Sequence, residues 1–169
     1  MTQPQIRASR WQRAMQRVAA SRPGSWLFSH TLHHIDRVLM GVTGGRASIP
    51  GLLAGLPVIR LTTTGAKSGK QRTLPVLGLP DGDKWVVVAS NWGQDHHPSW
   101  YYNLTANPQV TVTHRDRSAE YVAREATEDE WETYWDQATD LYVGFEPYQR
   151  RSGDRSIPIV VLEPADADS

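Results

Sequence analysis

The chain of 169 residues contains no cysteine. Disulfides, thiolate-held zinc and cysteine nucleophiles are therefore excluded, and cysteine usage says nothing of the redox compartment. Net charge is absent as well, because eighteen cations balance eighteen acids. No overall field points to nucleic acid or to an acidic partner, and no nucleic-acid role is expected. No apolar run approaches the roughly 20 residues that span a bilayer. Met1 to Gly24 lacks the apolar stretch of a signal peptide, so the expected location is the cytoplasm. Phenylalanine is scarce, at two residues, whereas seven Trp and six Tyr are present. Such a set builds either a thick aromatic core or an aromatic-lined pocket.

Charge is uneven along the chain. Residues 1–46 hold seven Arg and a single acid, Asp36. Ile6 to Ala20 reads as an amphipathic helix, with Arg7, Arg10, Arg13 and Arg17 on one arc and Trp11, Ala14, Met15 and Val18 on the next. Two readings fit this pattern: the helix lies on an anionic membrane, or it docks on its own domain with the Arg face in water. A second helix runs from about Ser25 to Met40 and is ended by Gly41, Gly44 and Gly45. On it, His30 and His34 have the spacing of a metal pair. The Glu of H-E-x-x-H is missing and only Asp36 stands nearby, so no metal is expected and His30, His33 and His34 read as surface or interface residues.

From Pro57 the pattern becomes β. Strands are predicted near residues 57–64, 72–79, 84–90, 109–114, 118–126 and 157–163, with Asp81-Gly82-Asp83 as a hairpin turn. A short helix is predicted over His97 to Ala106, stopped at Asn107-Pro108. Thr127 to Glu130 is a capping box that opens a helix reaching about Tyr142. Strands joined by short turns, with few helices, give a mainly β protein of the α+β kind, an antiparallel barrel decorated by helices. The expected organisation is a helical extension over 1–46, a barrel over 47–164 and a disordered tail over 165–169.

"LTTTGAKSGKQRTLPV", residues 61 to 76, carries the first chemical signal. It fails the P-loop pattern, since Lys67 and Ser68 precede Gly69, and β-branched runs flank it on both sides. It reads as a hairpin with a basic tip that grips an anion through side chains.

Three blocks then occur in order: "TTTGAKSGKQRTLPVLGL", "DGDKWVVVASNWGQDHHPSWYYNLTANPQV" and "LYVGFEPYQRRSGDRSIPIVVLEP". Together, over about Pro57 to Pro164, they resemble the deazaflavin-dependent nitroreductase family, whose quinone reductases are close kin. These are split β-barrel, FMN-binding-like oxidoreductases of actinobacteria that use reduced coenzyme F420. The resemblance implies that the anionic tail of the coenzyme meets Lys67, Lys70 and Arg72, helped by Thr64, Ser68, Thr73 and Pro75. Arg binds phosphate or carboxylate bidentately and Lys acts as a movable point charge. The flat head is expected against Ala89, Ser90, Asn91, Trp92, Trp100 and Asn103. Some members carry a cation where this chain has Asn91. His96 and His97 read equally as ring or phosphate contacts and as polar residues at a helix start.

The third block implies an acceptor wall of Tyr142, Phe145 and Tyr148, with Trp92 facing it. Nitroreducing members carry a tyrosine where Phe145 stands. The cofactor brings the hard chemistry, so the catalytic residues expected are hydrogen-bond donors to a developing oxyanion, Ser90 and Tyr142, and a solvent-connected phenol, Tyr142 or Tyr148, for protonation. The expected acceptor is a small electron-poor molecule such as a menaquinone-type quinone, with nitroaromatics or unsaturated lactones as further substrates. On the membrane reading of the first helix, residues 6–20 are the peripheral contact. The competing readings are an FMN-dependent oxidoreductase of the same barrel and a non-catalytic module binding a cofactor, haem or lipid.

Overall fold

The computed structural model describes residues 57–165. The two N-terminal helices read from the sequence, with His30, His33 and His34, and residues 166–169 of the expected tail lie outside the described residues. At Ala165 the backbone N–H still bonds the Glu120 carbonyl at 3.0 Å, so the tail does not begin there. No helix among the described residues is long and apolar enough to cross a membrane.

Six strands, β1 (Val58–Thr64), β2 (Gln71–Asp81), β3 (Lys84–Val88), β4 (Gln109–His114), β5 (Arg117–Glu125) and β6 (Ile159–Pro164), form a closed antiparallel barrel in the order β1-β2-β3-β6-β5-β4. Closure comes from β4 pairing back onto β1, with Leu61 opposite Val112. This is the split-barrel fold with helices that the sequence predicts. Strand ends shift by at most two residues: β3 stops at Val88 and β6 starts at Ile159. β2 is longer than predicted because its first half pairs with β1 and its last four residues pair with β3.

The period-2 alternation of a strand divides the apolar residues into two cores. Val87 and Ala89, Ile59 and Leu61, Val110 and Val112, and Val160 and Leu162 fill the barrel. Val86, Val88, Ile159 and Val161 point the other way, under a helical layer. With neither face wet, β3 and β6 read as unbroken apolar runs. Three helices complete the described chain. α1 (Ser99–Ala106) inserts Trp100 and Leu104 into the barrel core. α2 (Glu128–Leu141) opens on the predicted capping box, in which the Thr127 N–H donates to Glu130 Oε2 at 2.8 Å.

α3 (Phe145–Arg151) is a correction to the sequence reading, which ran α2 out into a loop here. Two signals concealed it. Gly144 precedes it, and Pro147 falls in its first turn, where the missing N–H has no intrahelical partner to lose. The antiparallel order brings the ends of all six strands at Thr64, Gln71, Val88, Gln109, Glu125 and Ile159 to one end of the barrel. Both of the first two sequence blocks have their loops there.

Candidate functional site

The first loop at this end is the tip of the β1–β2 hairpin, residues 65–70. The Gly65 N–H bonds the Lys70 carbonyl at 2.9 Å, the Gly69 N–H bonds the Gly65 carbonyl at 2.8 Å, and Ser68 Oγ accepts from the Lys70 N–H at 3.3 Å. The backbone is thus self-contained, and the side chains of Lys67 and Lys70 stand in solvent with Arg72 just behind them. None of these three cations forms an ion pair with another described residue, whereas Lys84, Arg124 and Arg150 all have carboxylate partners. Cation clusters repel themselves, so an uncompensated one at a rigid turn is a place for an anion.

Register separates the residues predicted to share this site. Arg72 pairs with buried Thr63, which puts it on the row facing the barrel mouth. Thr64, Thr73 and Pro75 fall on the opposite row with Gln71, Thr62 and Arg60. There Thr73 Oγ1 meets Thr62 Oγ1 at 2.8 Å. Arg72 therefore lies on the mouth side behind the tip that carries Lys67, Ser68 and Lys70, and Thr64, Thr73 and Pro75 line the outer wall.

α1 is the wall next to the tip. The Asn103 amide donates to Thr63 Oγ1 at 3.1 Å and its carbonyl oxygen accepts from the Ala66 N–H at 3.1 Å. The Asn107 amide donates to the Thr64 carbonyl at 3.4 Å. Asn103, predicted to touch a flat head, is here the brace that fixes the hairpin to α1. Trp100, predicted for the same head, is only 6% exposed and packs with Ala89 inside the barrel.

The second loop follows β3. Ser90 is right-handed (φ −69°), and then Asn91, Trp92 and Gly93 are left-handed in succession, at φ 46°, 58° and 74°. Only Gly93 takes that conformation without cost. It also needs to lack a side chain, because a Cβ there would sit 2.7 Å from the Tyr148 carbonyl oxygen. The Asn91 amide donates to the His96 carbonyl at 2.9 Å, closing the loop on itself.

The residue that holds this loop is Arg155, which the sequence reading missed. Its Nε donates to the Gln94 carbonyl at 3.0 Å, and its terminal nitrogens to the Ala89 and Ser90 carbonyls at 3.2 and 2.8 Å. One of them also meets His97 Nδ1 at 3.1 Å. No sequence periodicity links position 155 to 89–97. The only available signal was an Arg placed just before an apolar strand. His97 stacks on Tyr101 with ring centroids 4.8 Å apart. Burial and the adjacent Arg155 charge hold its imidazole below the usual range, against the opposing pull of Glu125. Tyr101, half-buried and hydrogen-bonded to Glu125, has its phenol pushed up to about 12 and stays neutral. His96 is exposed and pairs with Asp95 at 2.9 Å.

The third block is placed differently from the expectation. Tyr142, Phe145 and Tyr148 are 6%, 3% and 2% exposed and belong to the core beneath the helices. The Tyr142 and Tyr148 hydroxyls meet each other at 2.8 Å. Burial pushes the Tyr142 phenol up, with the Tyr148 hydrogen bond opposing. The solvent-connected phenol at a pocket mouth is therefore not what the structure holds: these rings pack edge to face, at 5.2 Å for Tyr142 and Phe145. Their connection to the loop runs through Trp92, half-buried, whose ring lies 5.9 Å from Tyr148 in an edge contact. Among the described residues no cluster of three or more His, Asp or Glu could hold a metal ion.

Comparison with known proteins agrees with this architecture. A family model described as F420H(2)-dependent quinone reductase matches residues 32–164. The F420H(2)-dependent quinone reductase Rv1261c of Mycobacterium tuberculosis is 33% identical over 149 residues, covering 81% of this chain and 95% of that protein. A solved F420-H2 dependent reductase is 41% identical, with a TM-score of 0.59, covering 63% of this chain and 94% of that one. A second solved structure, a domain-swapped dimer, is 35% identical with a TM-score of 0.61, covering 83% and 99%.

Proposed function

From the premise that this chain belongs to the F420H(2)-dependent quinone reductase family, as an oxidoreductase of coenzyme F420, we propose that its acceptor is a small quinone. Reduced coenzyme F420 supplies the hydride. The residues present fit such a group. Lys67, Lys70 and Arg72 give a polyanionic tail three cations with no carboxylate partner among the described residues, and Asn103 keeps the hairpin that carries them in one place. That unpaired cation group is the observation that carries the reading.

The remaining tasks fall to the loop after β3. Its Ser90 hydroxyl makes no cap hydrogen bond to the short turn that follows and is available as a donor. In this reading Ser90 donates to the oxygen on which negative charge develops, and fixed donors at such a point lower the barrier more than mobile water does. Asn91 and Trp92 shape the slot in which a flat ring lies, and Ala89, predicted to touch that ring, lies behind it in the barrel core. Tyr142, Phe145 and Tyr148 support the slot from below through Trp92 rather than touching the acceptor.

The basic stretch Arg7, Arg10, Arg13 and Arg17 would bring the protein to an anionic membrane that dissolves apolar quinones. Co-sedimentation with anionic vesicles, abolished when the four are changed to Gln, is the expected result. For the reaction itself, purified protein is mixed with reduced coenzyme F420 and menadione, and coenzyme absorbance is followed. Recovery of the oxidised coenzyme only when quinone and protein are both present is expected. Turnover with reduced FMN equal to that with reduced F420 would overturn the assignment, as would reduction of a nitroaromatic or unsaturated lactone with no turnover of any quinone.

A further inference from the structure

The carbonyls of Ala89 and Ser90 both point at the Arg155 guanidinium. No peptide bond among the described residues is cis. In a trans peptide the N–H is antiparallel to the C=O of the same unit. The N–H groups of Ser90 and Asn91 therefore face away from Arg155, side by side. Neither has a hydrogen-bond partner among the described residues. A right-handed residue followed by a left-handed one is the backbone form that turns successive N–H groups into a concave seat for negative oxygen. Ser90 and Asn91 have that order of φ.

This seat is costly to form. A non-glycine residue in the left-handed region loses about 1–2 kcal/mol, and Asn91 and Trp92 are both there. The main opposing force is the Arg155 fork of charged hydrogen bonds, with a longer one from Arg151 to the Trp92 carbonyl at 3.4 Å, and the base of the fork is itself fixed. The Arg155 N–H bonds the Ser152 carbonyl at 3.2 Å, and the buried Ser152 hydroxyl lies 2.9 Å from the Arg155 carbonyl. An Arg is always a donor, so the contact with His97 Nδ1 makes that nitrogen an acceptor and leaves the imidazole proton on Nε2.

We propose that Arg155 is the positioning residue of the site: it aims the Ser90 and Asn91 N–H groups as a donor pair at an anionic or carbonyl oxygen of the flat cofactor head, and fixes His97 as the neutral Nε2–H tautomer. The proposal rests on the reading above that this loop receives the cofactor. It assigns to Arg155 no contact with cofactor or acceptor.

The test compares the full-length protein with Arg155→Met and Arg155→Lys. Binding of coenzyme F420 to wild type is measured first by tryptophan quenching; its absence would sink the functional reading and leave the positioning claim to the spectroscopy. Three quantities are then read: the urea midpoint, the dissociation constant at a urea-free, fully folded condition, and the His97 ring 15N shifts. Lysine supplies charge without the fork, so R155K is expected to recover most of the stability that R155M loses. Both variants are expected to bind coenzyme about tenfold more weakly or worse, the scale found when a group that orients ligating groups is removed. Wild-type His97 should show the Nε2–H pattern and R155M should lose it. Wild-type affinity in folded R155M, or full recovery of affinity along with stability in R155K, would overturn the proposal. So would an Nε2–H His97 signature unchanged in R155M.

Discussion

Replacing Tyr142 with Phe removes one oxygen and separates two accounts of the third sequence block. The structure places that oxygen in a core position, 2.8 Å from the Tyr148 hydroxyl, on a residue 6% exposed. A buried neutral hydrogen bond contributes about 1 kcal/mol net, and leaving a partner poorly satisfied raises the loss toward about 2 kcal/mol. The ring itself stays, so its edge contact with Phe145 and its tilted contact with Tyr148 survive. For a chain of this length, 1 kcal/mol corresponds to a Tm shift of about 2–4 °C. Urea unfolding followed by tryptophan fluorescence measures the first quantity. Turnover with menadione at saturating reduced coenzyme measures the second, and it should stay within about twofold of wild type, because no acceptor contact is lost. A different outcome is easily told apart. A fall of about a hundredfold in turnover with the urea midpoint unmoved is what removal of an oxyanion donor produces. That pair of results would refute the core assignment and return Tyr142 to the acceptor wall.

Other consequences are sharper in direction than in size. Arg72→Ala should weaken coenzyme binding by about 1.5 kcal/mol, the lower end for a charged hydrogen bond because the residue is exposed, and should flatten the salt dependence of binding while kcat holds; titration at several ionic strengths checks this. Gly93→Ala forces a Cβ to 2.7 Å from the Tyr148 carbonyl oxygen at a left-handed φ of 74°, and should cost about 3 kcal/mol from strain and overpacking together, read as a lower urea midpoint. Glu130, held by Arg124 and by the Thr127 cap, has its carboxyl pushed down from 4.5 to about 2. A depressed carboxylate stabilises fully above its unfolded pKa and stops doing so as pH falls through the folded one, so acid destabilisation should run between about 4.5 and 2 and shrink in Glu130→Gln, as measured by urea midpoints across that pH range.

What the sequence made legible was local. The strands of the barrel were readable because each alternates or runs apolar over its own length, as in Val86 to Val88. The capping box was readable because Thr127 and Glu130 act within one turn. The cation tip was readable because Lys67, Lys70 and Arg72 lie within six positions. Even there, the strand register decided something that composition could not: one step along β2 puts Arg72 toward the mouth and Thr73 on the outer wall. α3 escaped notice because Gly144 and Pro147 are loop-forming residues in most contexts, and the i, i+3 recurrence of Phe145 and Tyr148 fits a short buried helix as well as a pocket lining. The rings of the third block show the same ambiguity, since an aromatic stripe serves a core and a binding wall with equal chemistry. Only burial distinguishes them.

A different limit applies to the loop after β3. The donors that the geometry offers there are backbone N–H groups, and every non-proline residue carries one, so no choice of side chain at Ser90 or Asn91 announces them. They become distinguishable only when something turns the matching carbonyls the other way. In this protein that is Arg155, 64 and 65 positions further along the chain than Asn91 and Ser90, across the β3–β6 pairing that sets Val88 against Ile159. The barrel closure thus does more than bury apolar strands. By fixing β6 beside β3 it delivers one guanidinium to the carbonyl side of a strained turn. The tip cations are supplied by sequence neighbours, whereas the donor pair exists only once the barrel has closed. Loosening the barrel short of unfolding should for that reason degrade recognition of the flat head before it degrades capture of the charged tail.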